Sequence, residues 1–456
     1  MDYSVDDTIV ALSTPPGTGA IAVVRLSGKD SIGIVNKVFA GKDLMQQSSH
    51  TLHFGTIRQN DEILDEVVVA LFLAPQSFTK ENVVEVSCHG SPFIVQTLLQ
   101  LLVQQGARLA TPGEFTKRAF LHGRFDLAQA EAVADLITSE SQRAHQAALT
   151  QMRGGFSKQI QILREKLVNF ASLIELELDF SEEDVEFANR EDLKNLVEDI
   201  RQVVIELIES FKVGNVIKNG IPTVIAGKPN AGKSTLLNAL LNEEKAIVSE
   251  IPGTTRDFIE DEITLDGMQF RFIDTAGIRE TEDKVEMLGV QRTHQKLQQA
   301  AVVLYLVDLV HDTYEAIEKQ EKWLLQVGKP FVLVANKIDQ APSHLVARLR
   351  DKPNVIFISA EKKQNLEELR HKLADLSGIY RLHTESTIVT NARHHTSLSR
   401  TLTALESILE GIKTNITHDF LAQDIRHALY HLGEITGEIT TDDLLDTIFS
   451  KFCIGK

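Results

Sequence analysis

A phosphate-binding loop is the sharpest chemical signal in the sequence. Residues 227–234 read GKPNAGKS, which matches the pattern GxxxxGK[ST], and they follow an apolar run, PTVIAG, that is typical of a strand. In such a loop, backbone N–H groups surround the phosphates of a nucleotide. The ammonium of Lys233 then approaches the β- and γ-phosphates, and the Ser234 hydroxyl ligates Mg²⁺. The motif predicts a nucleotide site and leaves the base undetermined.

Three shorter motifs, each at the end of an apolar run, identify the base. Residues 274–277 (DTAG) end the run QFRFID, where a carboxylate can hold the metal through water and a glycine amide can sense the γ-phosphate. Residues 336–339 (NKID) follow PFVLVA, and Asp339 can accept from the N1–H and 2-amino donors that guanine offers and adenine lacks. Residues 359–360 (SA) follow NVIFI, where a backbone amide can meet the guanine carbonyl. In this order the motifs predict a GTPase.

The position after the DTAG motif lacks a group that orients water. Ras-like enzymes carry a glutamine there, whereas this chain has Ile278, whose side chain cannot hydrogen-bond. Asn230 and residues 253–257 (GTTRD) resemble GTPases that recruit a potassium ion in place of an arginine finger, and Thr255 is then the second Mg²⁺ ligand. The alternative for Asn230 is an amide that only stabilises its loop.

The predicted GTP site thus draws on several segments of the chain. Its residues are Asn230, Ala231, Gly232, Lys233, Ser234, Thr235, Ser249, Glu250, Ile251, Pro252, Gly253, Thr254, Thr255, Asp274, Thr275, Ala276, Gly277, Asn336, Lys337, Asp339, Ser359 and Ala360.

The composition describes a soluble globular protein. The 456 residues include 47 Lys plus Arg and 64 Asp plus Glu, a formal charge of −17, which argues against uniform electrostatic coating of nucleic acid but not against a local basic patch. Only two cysteines occur, Cys88 and Cys453, which fits a reducing compartment. No apolar run approaches the roughly 20 residues of a membrane-spanning helix, and the N-terminus has no secretion signal. We therefore expect a cytoplasmic protein with no membrane partner.

The apolar pattern divides the chain into a multidomain α/β and α protein. Short β-rich runs and one helix candidate near 93–105 predict an N-terminal α+β domain, residues 1–122. Apolar positions spaced by three and four predict a helical domain in two halves, residues 123–215 and 382–456. Alternating strand and helix patterns between them predict an inserted, doubly wound, Ras-like P-loop GTPase domain, residues 216–381.

Four stretches, in order along essentially the whole chain, resemble the MnmE (TrmE) family of tRNA-modification GTPases. They are TPPG…GAIAVVRLSG, PGEFTKRAFLHGRFDLAQAEAVADLI, GKPNAGKSTLLNAL and the terminal FCIGK. One departure concerns residues 79–81, which read TKE where the family usually reads TGE. That substitution bears on the conformation of the loop before the strand that carries Glu85.

The resemblance implies a second site in the N-terminal domain. The family's domain forms a homodimer and binds a reduced folate, 5-formyl- or 5,10-methylene-tetrahydrofolate, as one-carbon donor. Matching motifs place Arg25, Glu85 and Arg124 in that site, with Lys456 contributing from the terminus. A carboxylate can take two N–H donors from a pterin edge, and arginines bind anions. The alternative for Glu85 is an ion pair with a neighbouring base.

The resemblance also assigns the hydrolytic machinery. Asn230, Ser249, Ile251 and Thr254 would bind K⁺ when the two G domains of the dimer pair. Glu286, twelve residues past Asp274, would position the attacking water. The alternative for Glu286 is a capping or solvated role at the start of a helix.

With an FAD-dependent partner, MnmG (GidA), in a heterotetramer or larger complex, the family adds an aminomethyl or carboxymethylaminomethyl group to carbon 5 of the tRNA wobble uridine, position 34. Cys453 would then be a catalytic thiolate beside the folate. A prenylation box and a buried structural cysteine are the alternatives.

Two other functions compete with this assignment. A GTPase switch that assists ribosome assembly is the first, although none of the 26 glycines is spaced three from another, so the GxxG loop of an RNA-binding KH domain is missing. A folate enzyme that uses GTP only for regulation is the second.

Overall fold

The computed structural model describes residues 7–60, 62–179, 190–245, 261–265, 267–273, 300–376, 387–414 and 416–455. The chain divides into two compact units. The first comprises Met1–Ile137, Leu149–Gln202 and Ser397–Lys456, and the second comprises Thr138–Ala148 and Val203–Thr396. Within the described ranges, no helix combines the length and the apolar character needed to cross a membrane.

The strands and helices have the following bounds. The strands are β1 (Ile9–Leu12), β2 (Gly19–Ser27), β3 (Phe39–Ala40), β4 (Thr51–Gln59), β5 (Glu62–Phe72), β6 (Val83–Gly90), β7 (Arg108–Leu109), β8 (Ile221–Gly227), β9 (Asp261–Leu265), β10 (Met268–Phe272), β11 (Val302–Asp308), β12 (Phe331–Asn336) and β13 (Val355–Phe357). The helices are α1 (Ser31–Val38), α2 (Pro92–Gln104), α3 (Glu114–Leu121), α4 (Leu127–Ile137), α5 (Gln142–Met152), α6 (Gly155–Asp179), α7 (Arg190–Asn219), α8 (Lys233–Lys245), α9 (Tyr314–Val327), α10 (Ser343–Leu349), α11 (Leu366–Leu376), α12 (Ala392–Lys413), α13 (His418–Thr436) and α14 (Asp442–Phe449).

The first unit contains a seven-stranded sheet in the order β3-β4-β5-β6-β2-β1-β7. Its strands are antiparallel except for the β1–β7 pair. In β5 the alternate residues Val67, Val69 and Leu71 are buried, as expected for a strand with one face on a core. Helices α1 and α2 cover that face, and Leu98 and Leu102 of α2 are fully buried.

Helices complete the first unit. In α6 the residues Phe156, Ile160, Leu163 and Leu167 are buried, and their spacing of three and four puts them on one face. This face packs on α13, and α14 packs on α3. The last pair brings the end of the chain to the N-terminal sheet.

The second unit contains a six-stranded sheet in the order β13-β12-β11-β8-β10-β9, parallel except for β9. Successive residues of β8 enter different cores, because Ile225 packs in one apolar cluster and Val224 and Ala226 pack in another. A parallel sheet with both faces covered is the doubly wound arrangement. The predicted fold class is confirmed, with the α+β N-terminal part, the helical part and the Ras-like P-loop domain all present.

Candidate functional site

The phosphate loop joins β8 to α8 through backbone conformations that favour glycine. Gly227 has φ +148°, and a Cβ there would lie 2.6 Å from Leu306 O. Gly232 has φ +95°, and its Cβ would lie 2.3 Å from Asn336 Nδ2. Asn230 between them also has a positive φ, +62°, and its side chain is exposed. The glycines therefore allow the loop to curl tightly against the ends of the neighbouring strands.

Lys233 and Ser234, at the end of the loop and the start of α8, have side chains suited to binding a nucleoside triphosphate and its metal ion. The Lys233 ammonium donates to Gly227 O at 3.0 Å and to Lys228 O at 2.8 Å, so it lies over the loop. Burial lowers the pKa of Lys233, and phosphate oxygens would favour its charged form again. Ser234 is exposed in the first turn of α8, where its hydroxyl fits a Mg²⁺ ion that takes most of its other ligands from phosphates and water.

Asn336 connects the phosphate loop to both segments predicted to read the base. Its Nδ2 donates to Ala231 O at 2.9 Å, and its Oδ1 accepts from Lys337 N at 2.9 Å and Ala360 N at 3.0 Å. The residue is only 3% exposed. Asn336 thus holds three elements of the predicted GTP site together from behind.

Asp339 presents a carboxylate beside this network. Its Oδ2 lies 3.1 Å from Lys362 Nζ. A hydrogen bond with Ser359, supported by Lys362, holds the pKa of Asp339 below its usual range despite desolvation, so the group is ionised at neutral pH. An ionised carboxylate has the acceptors that the two N–H donors of guanine require.

Asp308 is a member of this site that the sequence motifs did not identify. It ends β11, opposite Asn336 in the β11–β12 register. Its Oδ2 accepts from Lys337 Nζ at 2.6 Å, and Lys337 has φ +67°. Burial alone would raise the pKa of Asp308, but the hydrogen bonds from Lys337 and His311 outweigh it and hold the pKa below its usual range. The ion pair fixes Lys337, and the only signal in the sequence was a lone aspartate at the end of VVLYLVD.

Arg25 and Glu85 form an ion pair across β2 and β6. They are register partners, and Glu85 Oε1 lies 2.8 Å from Arg25 Nε and 2.7 Å from Arg25 Nη2. The predicted alternative, a salt bridge of Glu85 with a neighbouring base, is thus observed, and the base is itself a predicted site residue. Glu85 Oε2 makes no hydrogen bond to the described residues and remains an acceptor.

The C-terminal segment reaches this pair. Gly455 O accepts from Arg25 Nη1 at 3.3 Å and from Ser13 Oγ at 3.2 Å. Gly455 has φ +94°, and a Cβ there would lie 2.3 Å from Leu12 O, so the position requires glycine. Cys453 O accepts from Gly113 N at 3.3 Å. Cys453 itself is exposed, so the alternative of a buried structural cysteine is wrong.

Arg124 joins Arg25 at a shared aromatic ring. The guanidinium carbons of both arginines lie 5.7 Å from the centroid of Phe78. Arg124 also lies 5.3 Å from the Phe125 centroid and donates through Nη1 to Ser77 O. The structure thus brings Arg25, Glu85 and Arg124 together.

Several predicted residues lie outside the described part of the chain. They are Ser249, Glu250, Ile251, Pro252, Gly253, Thr254, Thr255, Asp274, Thr275, Ala276, Gly277, Glu286 and Lys456.

Comparisons with known proteins cover almost the whole chain. A family model described as GTP-binding protein TrmE N-terminus matches residues 8–124, and one described as MnmE helical domain matches residues 127–453. A protein of Cytophaga hutchinsonii described as tRNA modification GTPase MnmE is 57% identical, over 99% of this chain and 98% of its own. One of Christiangramia forsetii with the same description is 52% identical, over 99% of this chain and 100% of its own. Among solved structures, the FeoB G domain from Methanococcus jannaschii is similar over 35% of this chain and 97% of its own, with 23% identity and a TM-score of 0.26.

Proposed function

The chain belongs to the MnmE family of tRNA modification GTPases and is a hydrolase that acts on GTP, and on that premise we propose that it adds an aminomethyl or carboxymethylaminomethyl group to carbon 5 of the wobble uridine of certain tRNAs. A reduced folate donates the carbon, and an FAD-dependent partner, MnmG, takes part. The observation that carries the proposal is the coexistence, in one chain, of the Asn336-centred nucleotide site and the Arg25–Glu85 pair that the C-terminus closes.

GTP recognition is assigned to the strand ends of the second unit. Asp339 accepts from guanine N1–H and the 2-amino group, and the backbone of the Ser359–Ala360 segment would approach the guanine carbonyl. Lys233 and the loop amides hold the phosphates, and Ser234 ligates Mg²⁺ together with Thr255. A Mg²⁺ ion held by these hydroxyls would neutralise charge on the β- and γ-phosphates.

Hydrolysis is proposed to depend on K⁺ and on pairing of two G domains. Asn230 fits a cation ligand because its exposed amide makes no hydrogen bond to the described residues. Ser249, Ile251 and Thr254 would complete the K⁺ site, and Glu286 would position the attacking water in place of the missing glutamine. A fixed cation would stabilise charge that develops at the β–γ bridge.

The folate site is proposed around Arg25, Glu85 and Arg124. The free Oε2 of Glu85 suits a pterin N–H, while Arg25, which is already paired with Oε1, holds the carboxylate in place. Arg124 suits an anionic tail. When bound, the reduced folate supplies the one-carbon unit. Cys453 would act beside it as a nucleophile, and Lys456 would contribute from the terminus.

The proposed assembly is a homodimer that binds MnmG in a heterotetramer or larger complex. We place its activity in the cytoplasm, where tRNA and reduced folates are available. The proposal includes no membrane partner.

Nucleoside analysis of bulk tRNA from a strain that lacks this protein tests the proposal. We expect unmodified uridine to replace the modified wobble nucleoside, and expression of the wild-type chain to restore it. Arg25→Ala should fail to restore it, whereas Arg58→Ala, at an exposed arginine of β4, should succeed. Normal modification in the deletion strain, together with accumulated ribosome precursors, would instead establish the ribosome-assembly alternative.

A further inference from the structure

Hydrogen bonds join two turns beside the proposed folate site, and each turn carries a cation. One turn precedes β6, and the other connects α3 to α4. The hydrogen bonds run from Arg124 Nη1 to Ser77 O, from His122 Nδ1 to Thr79 O (2.8 Å) and from Lys80 Nζ to Gly123 O (2.9 Å). The Lys80 ammonium is therefore anchored on the carbonyl directly before Arg124.

The backbone of Lys80 is strained. Its φ is +60°, in the left-handed region, where a residue with a Cβ costs about 1–2 kcal/mol relative to the right-handed conformation. Glycine adopts that conformation without strain. Lysine therefore occupies this left-handed position at a cost in backbone strain, and it places a cation on the turn.

The carboxylates of Glu81, Glu85 and Asp126 have partners other than Lys80 and Arg124. Glu81 accepts from Ser27 Oγ at 2.6 Å and from Arg118 Nη1 at 3.1 Å. Glu85 pairs with Arg25, and Asp126 Oδ1 accepts from Gln129 N at the start of α4. Within the described residues, neither Lys80 nor Arg124 forms a salt bridge with a carboxylate. Two cations on joined turns that have no carboxylate partner among the described residues attract an anion.

We propose that Lys80 and Arg124 form a subsite for the carboxylates of a polyglutamate tail, so that this chain prefers polyglutamylated over monoglutamylated reduced folate; the inference rests on the proposed folate site. Arg124 is near enough to serve the same ligand as Arg25, because each guanidinium carbon lies 5.7 Å from the Phe78 centroid. A tail that extends from a pterin at Arg25 and Glu85 past Phe78 would then meet Arg124, and Lys80 is held on the residue before Arg124.

The pair fits a short anionic tail better than an RNA backbone. Neutralising a nucleic acid backbone takes a row of about 6–10 basic contacts. A polyglutamate tail presents separate carboxylates, and single cations match these one by one.

Calorimetric titration of the intact protein with 5-formyl-tetrahydrofolate tests the inference. The ligand carries one glutamate in one series and three in the other. We expect the wild-type chain to bind the triglutamate about 2- to 5-fold more tightly, the effect of one exposed ion pair, and less so as salt rises. Lys80→Gly, which keeps the turn and removes the cation, should abolish this increment with monoglutamate binding unchanged. Lys80→Arg should retain it.

Controls separate the inference from the folate site itself. Lys37→Met, at an exposed lysine of α1, should keep the wild-type preference, and Lys80→Met should lose it despite keeping a non-glycine residue. Equal binding of both ligands to the wild-type chain would overturn the inference and leave the folate site standing. Absence of monoglutamate binding would overturn both. A Lys80→Gly chain that loses tRNA affinity but keeps the folate preference would assign this cation to RNA.

Discussion

Replacing Asn336 with alanine should weaken GTP binding although its side chain is directed at protein groups and not at the base. The substitution removes three hydrogen bonds, to Ala231 O, Lys337 N and Ala360 N, in a place that is 3% exposed. Each is worth about 1 kcal/mol net, so the loss is about 2–3 kcal/mol. If the nucleotide must restore the loop arrangement on binding, affinity falls roughly 30- to 140-fold.

The measurement is the Kd for a fluorescent GDP analogue, with a thermal melt of the same samples. Asn336→Asp should be no better, because it sets a carboxylate oxygen against Ala231 O in place of a donor. The matched control is Asn215→Ala, at an exposed position of α7, which should leave both quantities unchanged. A wild-type Kd for Asn336→Ala would refute the inference that these hydrogen bonds hold the site together.

Four further predictions concern the proposed chemistry. Asp339→Asn should shift preference from guanosine to xanthosine triphosphate, because the amide presents a donor where guanine also offers one; unchanged GTP affinity in competition binding would contradict base reading by this residue. Glu286→Ala should bind GTP normally but hydrolyse it orders of magnitude more slowly, by analogy with loss of a positioning group. The wild-type protein should hydrolyse GTP faster in K⁺ than in Na⁺, and equal rates in both salts would remove the cation from the mechanism. Cys453→Ser should abolish wobble-uridine modification while GTPase rate stays unchanged, and modified tRNA at the wild-type level would show that the thiol is dispensable.

The sequence can predict where the motifs of the proposed nucleotide site lie in the fold, because each motif is local. The phosphate loop, NKID and SA each follow a strand with an evident apolar pattern, and parallel strands align their carboxyl ends at one edge of the sheet. The role of Asn336 could not be read from its motif, since its partners Ala231 and Ala360 lie 105 and 24 residues away. Asp308 was missed for the same reason, because only the β11–β12 register places it beside Lys337.

The second site depends still more on long-range contacts. Arg25 and Glu85 are 60 residues apart, and Arg25 and Gly455 are 430 apart. The periodicity of apolar residues cannot predict such pairings. Arg25 and Glu85 were identified through the resemblance to a family, and their contacts are known only from the structure. The domain boundaries proposed from the apolar pattern, at 122, 215 and 381, remain predictions.

The C-terminal anchors explain how an exposed cysteine can still be held in position. Cys453 O accepts from Gly113 N, and two residues later Gly455 O accepts from Ser13 and Arg25. Both glycines have positive φ, and a Cβ on either would lie within 2.5 Å of a backbone oxygen, so the two anchor points admit no other residue without displacement. The backbone of Cys453 is therefore fixed on both sides while its thiol stays at the surface. Serine in that place disturbs no core contact, so a loss of modification in the Cys453→Ser protein reports on sulfur chemistry and not on the path of the chain.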